Sequence, residues 1–172
     1  MKELFSLEII QGMDTSSGKI TLKEEPTQKN KHSSFKNTPR KRILVRDVPD
    51  DSILIKLDLG EPSFKTKSAY LNPGLKLIHK GCDYCLICPS LKRIFFIELK
   101  TRIISGYKEQ LLFSSLFIDY CITLWKYYSE TEDYTNFEKK YILFCEKDTL
   151  QPTSPDKVLM RDIVLVQRKT EF

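Results

Sequence analysis

The chain has 172 residues, 41% of them hydrophobic and 30% charged, with a formal net charge of +5 and a pI of about 8.9. That balance allows one packed domain and excludes global disorder. The basic excess fits a polyanionic partner, and it gains weight only where the charges cluster.

At the N-terminus, MKELFSLEIIQGM lacks the features of a secretory signal: Glu8 breaks its apolar stretch and no small-residue cleavage site follows. A cytoplasmic protein is expected. Leu4, Leu7 and Ile10 fall at helical spacings, which predicts a short helix within 1–12. KITL (19–22) predicts a short strand. Residues 23–42 change character, with seven Lys or Arg, two Pro and almost no apolar side chains. They predict an exposed basic loop or arm. Lys29, Lys31, Lys36, Arg40, Lys41 and Arg42 form its basic run. Such a run is either solvated or tracks phosphates, and Phe35 within it either stacks on a base or anchors the loop.

Residues 43–46 (ILVR) and 53–59 (ILIKLDL) predict strands, joined as a hairpin by the turn residues Pro49, Asp50 and Asp51. A short strand is expected at Leu75–Ile78. Two strong strands follow, CDYCLIC (82–88) and RIFFIELK (93–100), with Pro89, Ser90 and Leu91 as the turn between them. The second is apolar on both faces up to Ile97, the mark of a central, covered strand.

Tyr107, Leu111, Ser114, Ile118, Cys121 and Trp125 then recur every three or four residues and predict a helix over about 104–128. Its most apolar part, Leu111 to Trp125, spans 15 residues and contains Ser114, Ser115 and Asp119. A bilayer needs ~20 apolar residues, so a buried helix is expected and no membrane partner. Asp119 reads as a surface acid facing away from Gln110. Trp125, Tyr127 and Tyr128 read as core packing or a partner surface. YILFCE (141–146) and RDIVLVQ (161–167) complete the strands. The order predicts one α/β domain: a mixed central β-sheet flanked by helices.

The five cysteines are an odd number, without an export signal, and so predict no disulfide framework. Cys82, Cys85 and Cys88 lack a second ligand pair for zinc. They read as small apolar residues of a buried strand, with Cys82 and Cys88 on one face and Cys85 on the other.

The chemistry concentrates in GCDYCLICPSLKRIFFIELK. A hairpin sets its first and last residues side by side, so Asp83 is expected beside Glu98. Glu98 and Lys100, two apart, project from one face. Two carboxylates at close range raise each other's pKa unless a cation intervenes. Mg2+ takes oxygen ligands, uses one or two carboxylates and keeps several waters. A cation held there polarises a phosphate and acidifies a bound water. Lys100 is placed to orient that water or to offset charge on the phosphate. A lone E-x-K at a strand end usually marks a solvated pair; Asp83 and the apolar runs before Asp83's partner strand and Glu98 call for more than that. No Gly-rich phosphate loop, nucleophile elbow or H-E-x-x-H is present.

Asp83, fourteen residues, then Glu98-Leu99-Lys100 and a helix carrying Gln110 resembles the PD-(D/E)XK nuclease superfamily, over about residues 81–125. The local sequence is similar to small RecB-like, phage-associated or mobile-element nucleases. The resemblance implies a restriction-endonuclease-like core and a nuclease acting on nucleic acid, DNA foremost. It implies Asp83, Glu98, Lys100 and Gln110 as catalytic residues. It also implies Mg2+, for which Mn2+ can substitute, held by Asp83, Glu98 and the Leu99 carbonyl. Lys36, Arg40, Lys41, Arg42 and Lys108 become candidate nucleic-acid contacts, Lys108 with a plain solvated lysine as its alternative. An upstream glutamate is also expected, and Glu8, Glu24 and Glu25 all qualify. Cys82 stands where the name-giving pattern has Pro. The alternative is a nucleic-acid-binding or assembly module that keeps the fold without cutting, with an oligomeric or protein partner left open.

Overall fold

The computed structural model describes residues 1–11, 18–23, 42–59, 70–72, 74–100, 105–130, 132–145 and 163–167. Strands β1 (Ile20–Lys23) and β2 (Arg42–Val45) form an antiparallel pair of their own. The main sheet holds β3 (Ile53–Lys56), β4 (Tyr84–Cys88), β5 (Arg93–Lys100), β6 (Glu138–Cys145) and β7 (Ile163–Gln167), side by side in chain order. Pairing is antiparallel from β3 through β5 and parallel from β5 through β7. Helix α1 (Tyr107–Tyr128) makes the crossover that parallel neighbours β5 and β6 require. The class is mixed α/β.

Strand β5 explains the layering. Ile94 and Phe96 pack with Ile55, Cys85 and Ile87 against α1. Ile97 and Leu99 pack with Leu54, Tyr84 and Leu86 against Ile20 and Leu22 of β1. Both faces of the strand are covered, so its sequence is a nearly continuous apolar run. By parity Glu98 and Lys100 fall on the α1 face, where that run ends.

Gly106 initiates the helix with φ +71°, and a Cβ there would come within 3.2 Å of Lys80 Nζ. Leu111, Ser114, Ile118, Cys121 and Trp125 are buried at the spacing the sequence predicts, joined by Ser115 and Ile122. The opposite face is open: Leu116, Tyr120 and Tyr127 are exposed, so the helix is buried on one side. Among the described residues, no helix is long and apolar enough to cross a membrane.

Several expectations are corrected. The turn after Pro49 exists, with Ser52 N–H donating to Pro49 O, but it does not close a hairpin. β2 pairs with β1 and β3 with β4, so the chain passes there from one sheet to the other. Asp47 adopts a left-handed φ of 58° at that passage, and Val48 N–H donates to Gly18 O. The N-terminal helix shrinks to a 3-10 turn at Lys2–Leu4. Residues 9–11 then run along β3: Lys56 N–H donates to Ile9 O, Gln11 N–H donates to Leu54 O, and Ile10 bridges Ile55. An edge strand's unpaired amides outcompete the helix there. Lys76–His79 is a 3-10 turn rather than a strand. Among the described residues, α1 covers one face of the sheet and the β1–β2 pair covers the other, where helices on both flanks were expected.

All five cysteines are free and buried. Cys82 and Cys85 lie on the α1 side and Cys88 on the other. Cys82 precedes β4, so strand alternation does not govern it. Burial pushes the Cys82 thiol up to about 12 and that of Cys85 well above its ordinary value. They behave as protonated, small apolar groups.

Candidate active site

The β4–β5 register pairs Tyr84 with Ile97, and its continuation sets Asp83 opposite Glu98. The two strands grip each other's carboxylates there. Asp83 N–H donates to Glu98 Oε2 at 3.2 Å, and Leu99 N–H donates to Asp83 Oδ2 at 2.6 Å. Lys100 Nζ forms an ion pair with Glu98 Oε1 and donates to Gln110 Oε1 at 2.8 Å. Gln110 in turn donates from Nε2 to Gly81 O at 3.1 Å. The first turn of α1 thereby ties the residue ahead of β4 to the end of β5.

Ser114, one helical turn further on, supports the same corner. Its buried hydroxyl accepts the Cys82 N–H at 2.7 Å, directly before Asp83. Sequence reading placed Ser114 on the buried face and missed this role. A buried Ser on an otherwise apolar face was the available signal, because buried hydroxyls find partners. Ser114→Ala should cost about 1–3 kcal/mol by orphaning a buried amide, and chemical denaturation reads this directly. An unchanged midpoint would mean that the Cys82 amide finds another acceptor.

Glu98 is 1% exposed, Asp83 is half-buried, and the Lys100 side chain is 20% exposed. Burial raises the Glu98 pKa to about 7, against the opposing pull of Lys100. Burial, then the neighbouring Glu98 charge, pushes Asp83 well above the usual carboxylate range. The folded protein therefore holds the Glu98 proton more tightly than the unfolded chain, whose ordinary value is 4.5. The stability this confers is present below that value and is lost as pH rises through about 7. In metal-free buffer, the melting temperature of the parent should fall across this window relative to Glu98→Gln. Parallel melting curves for the two proteins would refute that assignment.

A third acid acts on the pair. Asp58, just beyond β3, is exposed, and its charge raises both Asp83 and Glu98. Leu57 N–H donates to Asp83 O at 2.9 Å, which fixes the end of β3 beside the start of β4. Of the upstream candidates, Glu8 is exposed on the N-terminal segment. Glu24 and Glu25 lie outside the described residues, as do Lys36, Arg40 and Lys41. Arg42 is exposed at the start of β2, opposite Lys23. Lys23 exchanges backbone hydrogen bonds with the Tyr84 hydroxyl, at 3.1 and 2.9 Å. Lys108 is exposed on the first turn of α1. Asp119 pairs with Lys139 of β6, away from the Asp83–Glu98 corner.

Among the described residues, no group of three or more His, Cys, Asp or Glu is gathered tightly enough to hold a metal ion. The donor types nevertheless suit a hard divalent cation: two carboxylates whose pKa values are raised by burial, with the Leu99 carbonyl between Glu98 and Lys100. A cation that keeps several waters needs no more protein ligands than these.

Comparison with family models, curated proteins and solved structures finds no match to this chain.

Proposed function

We propose that the chain is a divalent-metal-dependent nuclease of the PD-(D/E)XK type, with a restriction-endonuclease-like core and DNA as its substrate. The observation that carries this reading is the facing Asp83–Glu98 pair, with Lys100 bonded to both Glu98 and Gln110. The hairpin, the helix and the parallel β6 that follow one another here also suit the family's pattern of Asp, Glu-x-Lys and helix.

Asp83, Glu98 and the Leu99 carbonyl would hold Mg2+ or Mn2+. The chemistry such a cation supplies when bound is polarisation of a phosphate oxygen and a water of lowered pKa. Lys100 keeps its ammonium at the half-buried mouth of the corner, where it offsets charge that builds on the scissile phosphate. Gln110 limits the rotamers open to Lys100, and rigid placement is worth much of the rate. The apolar walls on both faces of β5 exclude water and strengthen each of these interactions.

The deciding experiment incubates purified protein with labelled single- and double-stranded DNA and RNA, in Mg2+, Mn2+ or EDTA. Metal-dependent cleavage of DNA that EDTA stops is expected. Binding without cutting would select the second reading, a nucleic-acid-binding module. One feature favours that reading: protein donors already occupy both carboxylates, Lys100 and Asp83 N–H on Glu98 and Leu99 N–H on Asp83.

The basic run is read as an arm that tracks phosphates, rooted at Arg42, whose strand neighbour Lys23 touches Tyr84 beside Asp83. Replacing Lys36, Arg40, Lys41 and Arg42 with Ala should weaken DNA binding at low salt. It should also flatten the log–log salt slope by about one unit per lost phosphate contact. An unchanged slope assigns the run to solvent.

A further inference from the structure

The ribbon of β1 and β2 has an inner and an outer face. Ile20, Leu22, Ile43 and Val45 turn inward and pack on the sheet. The alternate side chains turn outward and are exposed: Lys19, Thr21 and Lys23 from one strand, Arg42, Leu44 and Arg46 from the other. Four of these six are cations and none is an acid. The register pairs Lys23 with Arg42 and Thr21 with Leu44, and its continuation brings Lys19 beside Arg46. Both charged cross-strand positions therefore set cation against cation. Like charges opposite each other destabilise a strand pair. Among the described residues, no ion pair relieves any of the four. Asp47, the next acid along the chain, sits where the backbone leaves the ribbon at a left-handed φ of 58°. A face that carries this repulsion without internal relief is complementary to a polyanion.

Its dimensions select among polyanions. The two cation pairs stand four residues apart, about 13 Å at the rise of a strand. The major groove of B-DNA is about 12 Å wide and admits a two-stranded ribbon. One pair then meets the phosphates on each rim. Thr21 and the half-exposed Leu44 face the floor between them, where thymine methyls offer apolar contact. The major groove of duplex RNA is too deep and narrow for this. A single strand is gripped by aromatic side chains that stack on its bases, and the outer face has none. The ribbon also has a direction. Lys23 exchanges backbone hydrogen bonds with the Tyr84 hydroxyl, so the Lys23–Arg42 end lies beside the start of β4, next to Asp83.

We propose that the outer face of the β1–β2 ribbon is a docking surface for duplex DNA, seated across the major groove with Lys23 and Arg42 on the rim nearest the Asp83–Glu98 corner. That the duplex comes there to be cut rests on the nuclease reading above; that it binds there does not, so binding is measured in EDTA. Anisotropy of a short labelled duplex over a range of KCl gives affinity and salt slope. Lys19→Gln with Arg46→Gln should weaken binding about tenfold or more near 0.1 M salt and flatten the log–log slope by about two units. Lys23→Gln with Arg42→Gln should do the same. Neither double variant should melt below the parent, because each removes a like-charged pair. Single-stranded DNA and duplex RNA of the same length should bind about tenfold more weakly than duplex DNA. An unchanged slope for Lys19→Gln with Arg46→Gln overturns the proposal. Weaker binding that comes with a lower melting temperature also overturns it, by making the four side chains structural. So does equal, equally cation-dependent binding of single strands, duplex RNA or phosphatidylserine vesicles, which would make the face a general anion surface. A protein that docks the duplex this way and never cuts it loses the nuclease reading and keeps the surface. One that cuts DNA while both double variants bind like the parent keeps the chemistry and loses the surface.

Discussion

Glu98→Gln should lower metal-dependent cleavage by at least about 10³-fold while leaving the fold in place. The effect on activity follows from the oxygen lost. Gln keeps the shape of Glu and can still accept the Asp83 N–H, but it offers a hard divalent cation no anionic ligand. The small effect on stability follows from burial. The site already favours the neutral carboxyl, with a pKa raised to about 7, and an amide resembles that form. Lys100 loses an ion pair but keeps Gln110 Oε1 and some solvent. The companion change Lys100→Ala should lower cleavage by about 10²–10³-fold and leave Mn2+ binding in place above neutral pH. Lys100 holds the Glu98 pKa down, so its removal moves metal binding to higher pH. Calorimetry with Mn2+, melting in EDTA and cleavage separate these effects. Cleavage by Glu98→Gln at the parent's rate would end the nuclease reading, and unfolding in EDTA would make Glu98 a structural residue.

What the sequence made legible is local. RIFFIELK is apolar on both faces and is indeed the covered strand beside two neighbours. Its hairpin with β4 turns over a few residues, Pro89–Leu91 with Lys92 at φ 49°, so the register that sets Asp83 against Glu98 depends on nearby chain alone. The partner of β3 depends on distant chain. ILVR and ILIK look alike as sequence, yet β2 is half-buried on one side only and β3 is buried on both. A Pro-Asp-Asp turn marks a change of direction without naming which strand lies alongside. Pairing β3 with β2 by proximity hid Asp58, whose place beside Asp83 follows only once β3 joins β4. The upstream acid was sought in Glu8, Glu24 and Glu25 because the resemblance implies a glutamate ahead of the sheet. The apolar stretch of α1 carried a similar ambiguity. Hydropathy reports that a surface is apolar, not what covers it, so Trp125, Tyr127 and Tyr128 read alike as core packing or a partner surface, whereas Trp125 is buried and the two tyrosines are exposed.

Phe96→Ala should be the most damaging single truncation near the site, costing about 3–5 kcal/mol. Phe96 is fully buried and stacks on Tyr141, with ring centroids 5.4 Å apart and planes 20° apart. That contact links β5 to its parallel neighbour β6, and the Tyr141 hydroxyl donates onward to Ser115 Oγ of α1 at 3.1 Å. Removing the ring opens a cavity among Cys85, Ile94 and Leu111, side chains already held in the α1-side core. For a chain of this size the loss corresponds to roughly 6–20 °C in melting temperature. Phe95→Ala is the matched control, one residue away but half-buried on the opposite face, and it should cost less. Phe96 lies two residues before Glu98 on the same face, so its loss also loosens the strand end that carries Glu98 and Lys100. Cleavage should therefore fall more than the folded fraction does at temperatures below the transition. A Phe96→Ala protein that melts within about a degree of the parent would mean the ring is not a core element. One that melts early yet cleaves at full rate while folded would separate the core from the positioning of Glu98.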